Sequence, residues 1–273
     1  MVFQYADSGN LRQYLRLNFK KLTWKDKLLR LTDISKDLIQ IHEAGYIHCD
    51  FHSDLGLSRN NKEPSLKEGV YGVLPYIAPE LLLGQKFTQA ADIYGFGVIM
   101  TEITAGIPSF DGYLFNNDST DLAIKICGGL RPKFAPGTSD CYIKLAESCM
   151  NADPQKRPTA KMLFDEFSKW YNFMNEQDTD VEMYMADEMD TADEMDTLDE
   201  PDELDEKIEI SNKFWEADDI IQQQPIITQK NLDSVYTSRH VDVDAISQRF
   251  REEVKLGNVA GFPVRHPNQN VMS

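Results

Sequence analysis

Two acidic residues, Asp50 and Asp54, stand four positions apart in residues 46–57. A carboxylate can accept a proton from a hydroxyl group, and it can hold a magnesium ion against phosphates. His48-Cys49-Asp50 and Asp54-Leu55-Gly56 therefore place two carboxylates capable of such chemistry close together in the chain. The two carboxylates are too close in sequence to be separated by a hairpin, because even two short strands and a turn need roughly 12 residues or more.

An amphipathic helix is predicted to deliver the chain into this segment. Thr23, with Asp26 three residues later, fits a capping box, and apolar residues then recur every three or four positions as far as Ile41. Gly45 follows, as is typical just beyond a helix end. Such a helix is core structure in most proteins. What makes it informative here is its position directly before His48.

A second buried helix is predicted after the polar loop of residues 57–75. The loop leads to an Ala-Pro-Glu sequence at residues 78–80, and Thr88 then caps a helix over residues 90–103. This helix is apolar nearly all round, so it should be buried, and Asp92 inside it is costly unless hydrogen-bonded. Taken alone, Asp92 could also be a first-turn acid interacting with the helix dipole.

In this order the motifs resemble the eukaryotic-type protein kinase domain, closest to the tyrosine-kinase-like serine/threonine and tyrosine kinases. The resemblance runs from about residue 1 to residue 174 and rests on His48/Asp50, Asp54/Gly56, Ala78-Pro79-Glu80, Asp92-Ile-Tyr-Gly-Phe-Gly and Arg157. Any one of these could be chance, whereas their joint order is very hard to obtain otherwise. The resemblance implies a mainly α fold over residues 1–177, namely the hinge and the C-terminal lobe of a protein kinase.

The resemblance also assigns functional roles. Asp50 would be the catalytic base and Asp54 a magnesium ligand, as in the family. Phe3 would be the gatekeeper, and the backbone of Gln4 and Ala6 would face adenine. The implied cofactors are therefore ATP and magnesium, and the implied partners are protein substrates or signalling proteins.

Four residues would be structural. Asp92 would anchor the backbone of the catalytic loop around His48, and Glu80 would form a buried ion pair with Arg157. If the resemblance is set aside, the sequence predicts only a surface Arg157 in the Pro-bounded loop of residues 151–158. Two matching partners at the expected places favour the ion pair.

Several departures from the family pattern bear on catalysis. The family's second magnesium ligand, an Asn, falls at Leu55, and the Arg beside the catalytic Asp is Cys49. Asp54 lies too close to Asp50 for the usual hairpin between them, and no Gly-rich loop, V-A-I-K lysine or helix C glutamate is found in the printed chain. Because phosphoryl transfer depends on positioning and charge stabilisation, we expect a kinase family member that is catalytically impaired in this form.

Three interpretations follow. The first is an ATP-dependent protein kinase by descent whose chain is incomplete or misassembled. The second is a pseudokinase-type binding or scaffold module whose acidic tail recruits basic partners. The third is an unrelated helical protein. Phosphorylation of a peptide would favour the first interpretation, and partner capture that survives changing Asp50 and Asp54 to Ala would favour the second.

The negative charge is confined to one region. Fifteen of the 45 acidic residues lie within residues 178–206, which contain no Lys or Arg, so the remaining 30 nearly balance the 28 basic residues of the chain. This balance argues against a nucleic-acid-binding surface. We predict an acidic low-complexity repeat at 178–206 and a largely disordered tail at 207–273, with one short helix near residues 245–254.

The four cysteines predict the compartment. Cys49, Cys127, Cys141 and Cys149 show neither C-x-x-C pairing nor zinc-ligand spacing. The N-terminus has no signal-peptide pattern, and no apolar run approaches the length of a membrane span. We therefore expect reduced cysteines and a cytoplasmic protein, with the nucleus as the alternative, and no membrane partner.

Overall fold

A computed structural model describes residues 11–49, 59–60, 70–111, 119–186, 201–223 and 236–259, and side chains in most of these. Within them the helices are α1 Leu11–Asn18, α2 Trp24–Glu43, α3 Pro79–Leu82, α4 Gln89–Ala105, α5 Ser119–Cys127, α6 Asp140–Cys149, α7 Ala160–Ala186, α8 Pro201–Gln223 and α9 Val243–Lys255. The strands are β1 Tyr46–Ile47, β2 Arg59–Asn60, β3 Val70–Gly72 and β4 Arg239–Val241. Short 3-10 helices lie at Phe19–Lys21, Leu74–Tyr76 and Pro154–Lys156. The predicted mainly helical, C-lobe-like fold is confirmed.

Helix α2 forms as its sequence predicts. The Thr23 hydroxyl accepts a hydrogen bond from the Asp26 backbone N–H at 3.1 Å, and the Asp26 carboxylate accepts one from the Thr23 N–H at 3.0 Å. This reciprocal pair satisfies two amide groups that the first turn leaves without helical partners. The helix ends before Gly45, whose φ of +78° is a backbone angle that glycine adopts without steric penalty.

Helix α4 is the centre of the core, and nearly all of its side chains are buried. A close approach to α6 requires glycine at position 97, because a Cβ there would lie 2.7 Å from the Cβ of Cys149. The Tyr142 hydroxyl of α6 donates to the Met100 carbonyl of α4 at 2.9 Å. The all-apolar pattern of this helix therefore corresponds to burial on every side.

Two small antiparallel sheets join distant parts of the chain. Strand β1 pairs with β2, with Tyr46 opposite Asn60 and Ile47 opposite Arg59. Strand β3 pairs with β4, which brings residues 70–72 together with residues 239–241 near the end of the chain. Residues 48–58, which include Asp50 and Asp54, connect the two strands of the first sheet.

The tail requires a correction. In place of the disorder predicted for residues 207–273, the described residues form most of α8 together with β4 and α9. Phe214 is fully buried, with its ring centroid 5.1 Å from that of Trp24 and 5.7 Å from that of Trp170. The physical reason is that Phe214, Ala217 and Ile221 recur at helical spacing and find an apolar surface on α2 and α7, which outweighs the acidic composition.

The boundaries of the acidic repeat also differ from the described helices. Helix α7 continues to Ala186, and α8 begins at Pro201, so only residues 187–200 lie between them, outside the described part. The short helix predicted near residues 245–254 corresponds to α9, Val243–Lys255. The division into units at 177 and 206 stays a prediction.

Lys27 is buried where α2 meets α8. Its side chain is 1% exposed, and Nζ lies 4.8 Å from the Phe19 ring centroid and 4.9 Å from that of Trp24. Among the described residues, no hydrogen-bond partner lies within reach of this ammonium group. Desolvation lowers the pKa of Lys27 to about 8, although the carboxylates of Asp218 and Asp26 oppose the shift.

We expect Lys27→Met to raise the free energy of unfolding at pH 7 by about 3–4 kcal/mol, because the pKa of Lys27 falls from 10.5 to about 8 and one pKa unit corresponds to about 1.4 kcal/mol. The folded-state pKa is lowered, so the unfolded chain binds more protons between about pH 8 and pH 10.5. The wild-type chain should therefore gain stability as pH rises through this window, and the advantage of Lys27→Met should shrink. Urea unfolding at pH 7 and pH 10 tests this, with the exposed Lys36→Met on the same helix as control.

Candidate functional site

A sharp backbone turn precedes Asp50. Strand β1 ends at the buried Ile47, His48 is also buried, and Cys49 adopts a φ of +64°, which is uncommon for a residue with a side chain. Asp50 itself lies outside the described residues. A left-handed residue at this point costs energy, so it persists only where neighbouring groups fix the backbone.

Asp92 on α4 fixes this turn. One carboxylate oxygen accepts the His48 backbone N–H at 2.8 Å, and the other accepts the Cys49 N–H at 3.0 Å. Asp92 is only 2% exposed, so its charge is compensated by these amide donors rather than by water. The structure thus places the Asp92 carboxylate at the backbone of residues 48 and 49, and its role as the anchor of a catalytic loop stays a prediction.

A third donor ties α2 into the same arrangement. His42, in the last turn of α2, places Nε2 2.9 Å from the Asp92 carboxylate. The Gln89 side chain, at the start of α4, donates to the His42 carbonyl at 2.8 Å. The end of α2, the turn after β1 and the start of α4 are therefore held as one unit. His42 and Gln89 were missed from the sequence, where neither belongs to a motif.

The Glu80–Arg157 pair is a buried, two-pronged ion pair. The two terminal guanidinium nitrogens of Arg157 donate to the two Glu80 oxygens, each at 2.7 Å. Arg157 also donates through Nε to the Asn151 carbonyl at 2.9 Å and through one terminal nitrogen to the Ala90 carbonyl at 2.8 Å. The pair links α3 to the loop before α7 and to the start of α4.

A third buried carboxylate, Glu102, lies near the segment that leads to α3. The Tyr76 hydroxyl donates to both Glu102 oxygens, at 2.7 and 2.9 Å, and the Ser109 N–H donates to Glu102 at 2.7 Å. Desolvation raises the pKa of Glu102 above its ordinary value, although these donors oppose the shift. Glu102 was not recognised from the sequence, although an acid inside an all-apolar helix is the same signal that marked Asp92.

The remaining predicted site residues cannot be placed. Gln4, Ala6, Asp50 and Asp54 all lie outside the described residues. In the described ranges, no three His, Cys, Asp or Glu side chains come together in a way that could hold a metal ion. None of the helices there combines the length and apolar character that a bilayer span requires.

The magnesium site that the resemblance implies falls on residues 50–56, which lie outside the described part of the chain. The side-chain donors between positions 50 and 56 are two carboxylates, His52 and the Ser53 hydroxyl, with Leu55 at the place of an amide ligand. A leucine side chain carries no oxygen that could bind magnesium. The short chain segment between Asp50 and Asp54 removes the separation that the two motifs normally have.

Comparison with known proteins agrees with the geometry. A family model described as protein tyrosine and serine/threonine kinase matches residues 1–167. A probable LIM domain-containing serine/threonine-protein kinase of Dictyostelium discoideum is 28% identical over 182 residues, which cover 62% of this chain and 27% of that relative. A serine/threonine/tyrosine-protein kinase of Arabidopsis thaliana is 27% identical over 173 residues, covering 58% of this chain and 44% of the relative. The chain thus spans less than half the length of either relative.

Proposed function

Because this chain belongs to the protein tyrosine and serine/threonine kinase family, we propose that it descends from enzymes that phosphorylate protein hydroxyl groups and that its own phosphoryl transfer is strongly impaired. Members of this family use ATP and magnesium. In such a reaction Asp50 would accept the proton of the substrate hydroxyl, and Asp92 would hold the backbone that leads to Asp50. Asp92, which would hold the backbone around the base Asp50, is therefore distinct from the residues that would bind magnesium and phosphate.

The proposed impairment of phosphoryl transfer rests on one observation. Strands β1 and β2 pair with Ile47 opposite Arg59, so residues 48–58 make up the whole connection between them. Both Asp50 and Asp54 belong to this connection in sequence. A connection of this length leaves no room for a separate hairpin between a base and a magnesium ligand. The chain keeps the hydrogen bonds of Asp92 to the backbone before Asp50. Asp50 and Asp54, however, are closer together in the sequence than the corresponding residues of the family.

The size of the effect follows from the type of catalysis. Phosphoryl transfer offers little covalent chemistry to the protein, so positioning and charge stabilisation supply almost all of the rate. Loss of one preorganised electrostatic contact of this kind costs roughly 10²–10³ in rate. Losing the amide ligand at position 55 and the spacing of Asp54 together should therefore remove activity to the level of background.

Phosphate transfer from radiolabelled ATP to a mixed Ser/Thr/Tyr peptide library tests this proposal. We expect the full chain and its Asp50→Asn variant to give the same background rate, with magnesium or manganese present. A rate for the unmodified chain that is at least tenfold above that of Asp50→Asn would overturn the proposal. Circular dichroism of both proteins serves as the control for folding.

A binding or scaffold role is the second candidate. It is favoured by the chain beyond the matched residues 1–167, since α8 folds back onto the lobe and leaves Trp215 about 41% exposed on its surface. The acidic residues 178–206 would attract basic proteins. Partner capture should then be unchanged in the double variant Asp50→Ala, Asp54→Ala, and its loss in that variant would argue against this role.

A further inference from the structure

Helix α8 carries a row of apolar side chains on its exposed side, which we call the α8 stripe. The stripe consists of Leu204, Ile208 and Trp215, which are 46%, 41% and 41% exposed. Because an α-helix turns about 100° and rises about 1.5 Å per residue, these positions lie within about 40° of one another over roughly 16 Å. Helix α8 lies beyond residues 1–167, so the stripe is not part of the segment that the family model matches.

The α8 stripe is separate from the side of the helix that faces the core. That side contains Phe214, Ala217 and Ile221, which are 0%, 0% and 5% exposed, and it packs against α2 and α7. Near the end of this contact, both carboxylate oxygens of Asp218 accept the Trp24 backbone N–H, at 2.9 and 3.0 Å. A partner can therefore contact the stripe while α8 stays in its place on the lobe.

Exposed carboxylates border the stripe on the side away from the core, within about 120° of its centre by the same rotation per residue. This acidic flank consists of Asp205, Glu209, Glu216 and Asp219, all of them exposed. Residues 204–219 contain six acidic residues and two lysines, and residues 187–200, just before α8, contain eight acidic residues and no basic one. One of the two lysines, Lys213, already pairs with Glu209 at 2.6 Å. The stripe thus lies in a region of negative potential.

Charge and size decide which partner fits this surface. A second copy of the chain would bring the same carboxylates face to face, and such like-charge contacts oppose association. A stable dimer also buries roughly 800 Å² on each partner, more than three side chains that are less than half exposed can supply. The negative surface of a membrane is repelled for the same reason as a second copy. A helix that carries Lys or Arg beside its own apolar row matches both the stripe and the flank.

We propose that the α8 stripe and its acidic flank bind a basic amphipathic helix of another protein. Apolar side chains of the partner, spaced three and four residues apart, cover Leu204, Ile208 and Trp215. Its Lys or Arg side chains face Asp205 and Glu216. The aromatic ring of Trp215 is the anchor, and the charges select the partner. This inference rests on the binding role proposed above and narrows that role to one surface and one class of partner.

The fluorescence of Trp215 makes this binding measurable in the full chain. The other two tryptophans, Trp24 and Trp170, are 0% and 4% exposed, so a partner that covers the stripe changes the environment of Trp215. The probe is a Trp-free peptide of about 18 residues, or five helical turns, with Leu every three or four positions among Lys and Ala. We expect it to shift the emission to shorter wavelength and to bind at least tenfold more tightly than a scrambled peptide of the same composition.

A double substitution in the stripe locates the apolar contact. Leu204→Gln with Ile208→Gln keeps Trp215 and should weaken binding of the probe at least tenfold. The matched control is Leu17→Gln with Leu256→Gln, at residues 68% and 72% exposed on other parts of the lobe, and it should bind as the unmodified chain does. Circular dichroism of both double variants checks that they remain folded.

A charge reversal in the flank locates the electrostatic contact. Glu216→Lys should weaken binding at least threefold, whereas Glu252→Lys, the same change in net charge at an exposed position of α9, should have less effect. The difference between these two variants should shrink in 1 M salt, where the screening length falls to about 3 Å.

Equal binding of the scrambled peptide, or of a peptide with Glu in place of Lys, would overturn the proposal, because neither an apolar row nor positive charge would then be required. Unchanged affinity in the Leu204→Gln, Ile208→Gln chain would overturn it too. Dimerisation of the chain that this double variant abolishes would assign the stripe to a second copy instead. Capture of basic proteins that the double variant leaves intact would overturn this surface but preserve the wider binding role. These measurements do not depend on phosphoryl transfer.

Discussion

Replacing Arg157 by methionine is expected to lower the free energy of unfolding by about 3–5 kcal/mol, the range for a buried ion pair that loses one partner. Glu80 is 2% exposed, and both of its oxygens are satisfied by Arg157. The change would leave a buried carboxylate without its two charged donors. It would also remove the donors to the carbonyls of Asn151 and Ala90. Urea unfolding followed by circular dichroism measures the loss.

A second substitution separates the energetic contribution of the ion pair from that of the other hydrogen bonds made by Arg157. Adding Glu80→Leu to Arg157→Met removes the stranded charge, so part of the lost stability should return. The return should be incomplete, because the two carbonyl groups remain without the guanidinium. The exposed pair of Lys169 and Glu206 supplies a surface comparison, and Lys169→Met should change stability by less than about 1 kcal/mol. An Arg157→Met loss no larger than that of Lys169→Met would contradict this account of the pair.

Asp92→Ala is expected to have a comparable effect, about 3–5 kcal/mol, the range for removing one partner of a buried charged group, because Asp92 accepts three hydrogen bonds and its loss leaves buried donors without an acceptor. Asp92→Ala and Arg157→Met differ in the part of the structure that they destabilise. The amides of His48 and Cys49 would lose their acceptor, and the left-handed turn at Cys49 would lose its restraint. Hydrogen exchange at these two amides should rise more than tenfold.

Two further variants, one intermediate and one surface control, are compared with Asp92→Ala. Asp92→Asn keeps one acceptor oxygen and should lie between the wild-type chain and Asp92→Ala in stability. Asp121→Ala removes a partly exposed acid that pairs with Lys125 within α5, and it should change stability by less than about 1 kcal/mol. Unchanged exchange at His48 and Cys49 in Asp92→Ala would show that Asp92 does not hold the turn.

The sequence predicted the helices where local signals agreed. The capping box at Thr23, the apolar repeat of α2 and the all-apolar face of α4 are set by residues near one another in the chain, and the corresponding helices form. The pairing of Glu80 with Arg157 is different, because the two residues are 77 positions apart. Composition and periodicity contain no information on that contact, so only the order of the motifs could suggest it.

The tail shows why the remainder was not predictable. The acidic residues 178–206 dominate the composition of the C-terminal third and favour disorder. Burial of Phe214 depends on Trp24 and Trp170, and pairing of β4 depends on β3, so neither can be recognised from the tail alone. His42 was missed for a related reason, since its role exists only once α2 and α4 have packed together.

Titration calorimetry of the full chain with magnesium and ATP tests the central claim most directly, because it requires no protein substrate. The claim is that Asp54, four residues from Asp50 and followed by Leu55, does not form the family's magnesium site. We expect the affinity for ATP to change by less than twofold when magnesium is added and again when Asp54 is changed to Asn. Binding that magnesium strengthens at least tenfold, and that Asp54→Asn abolishes, would contradict the account.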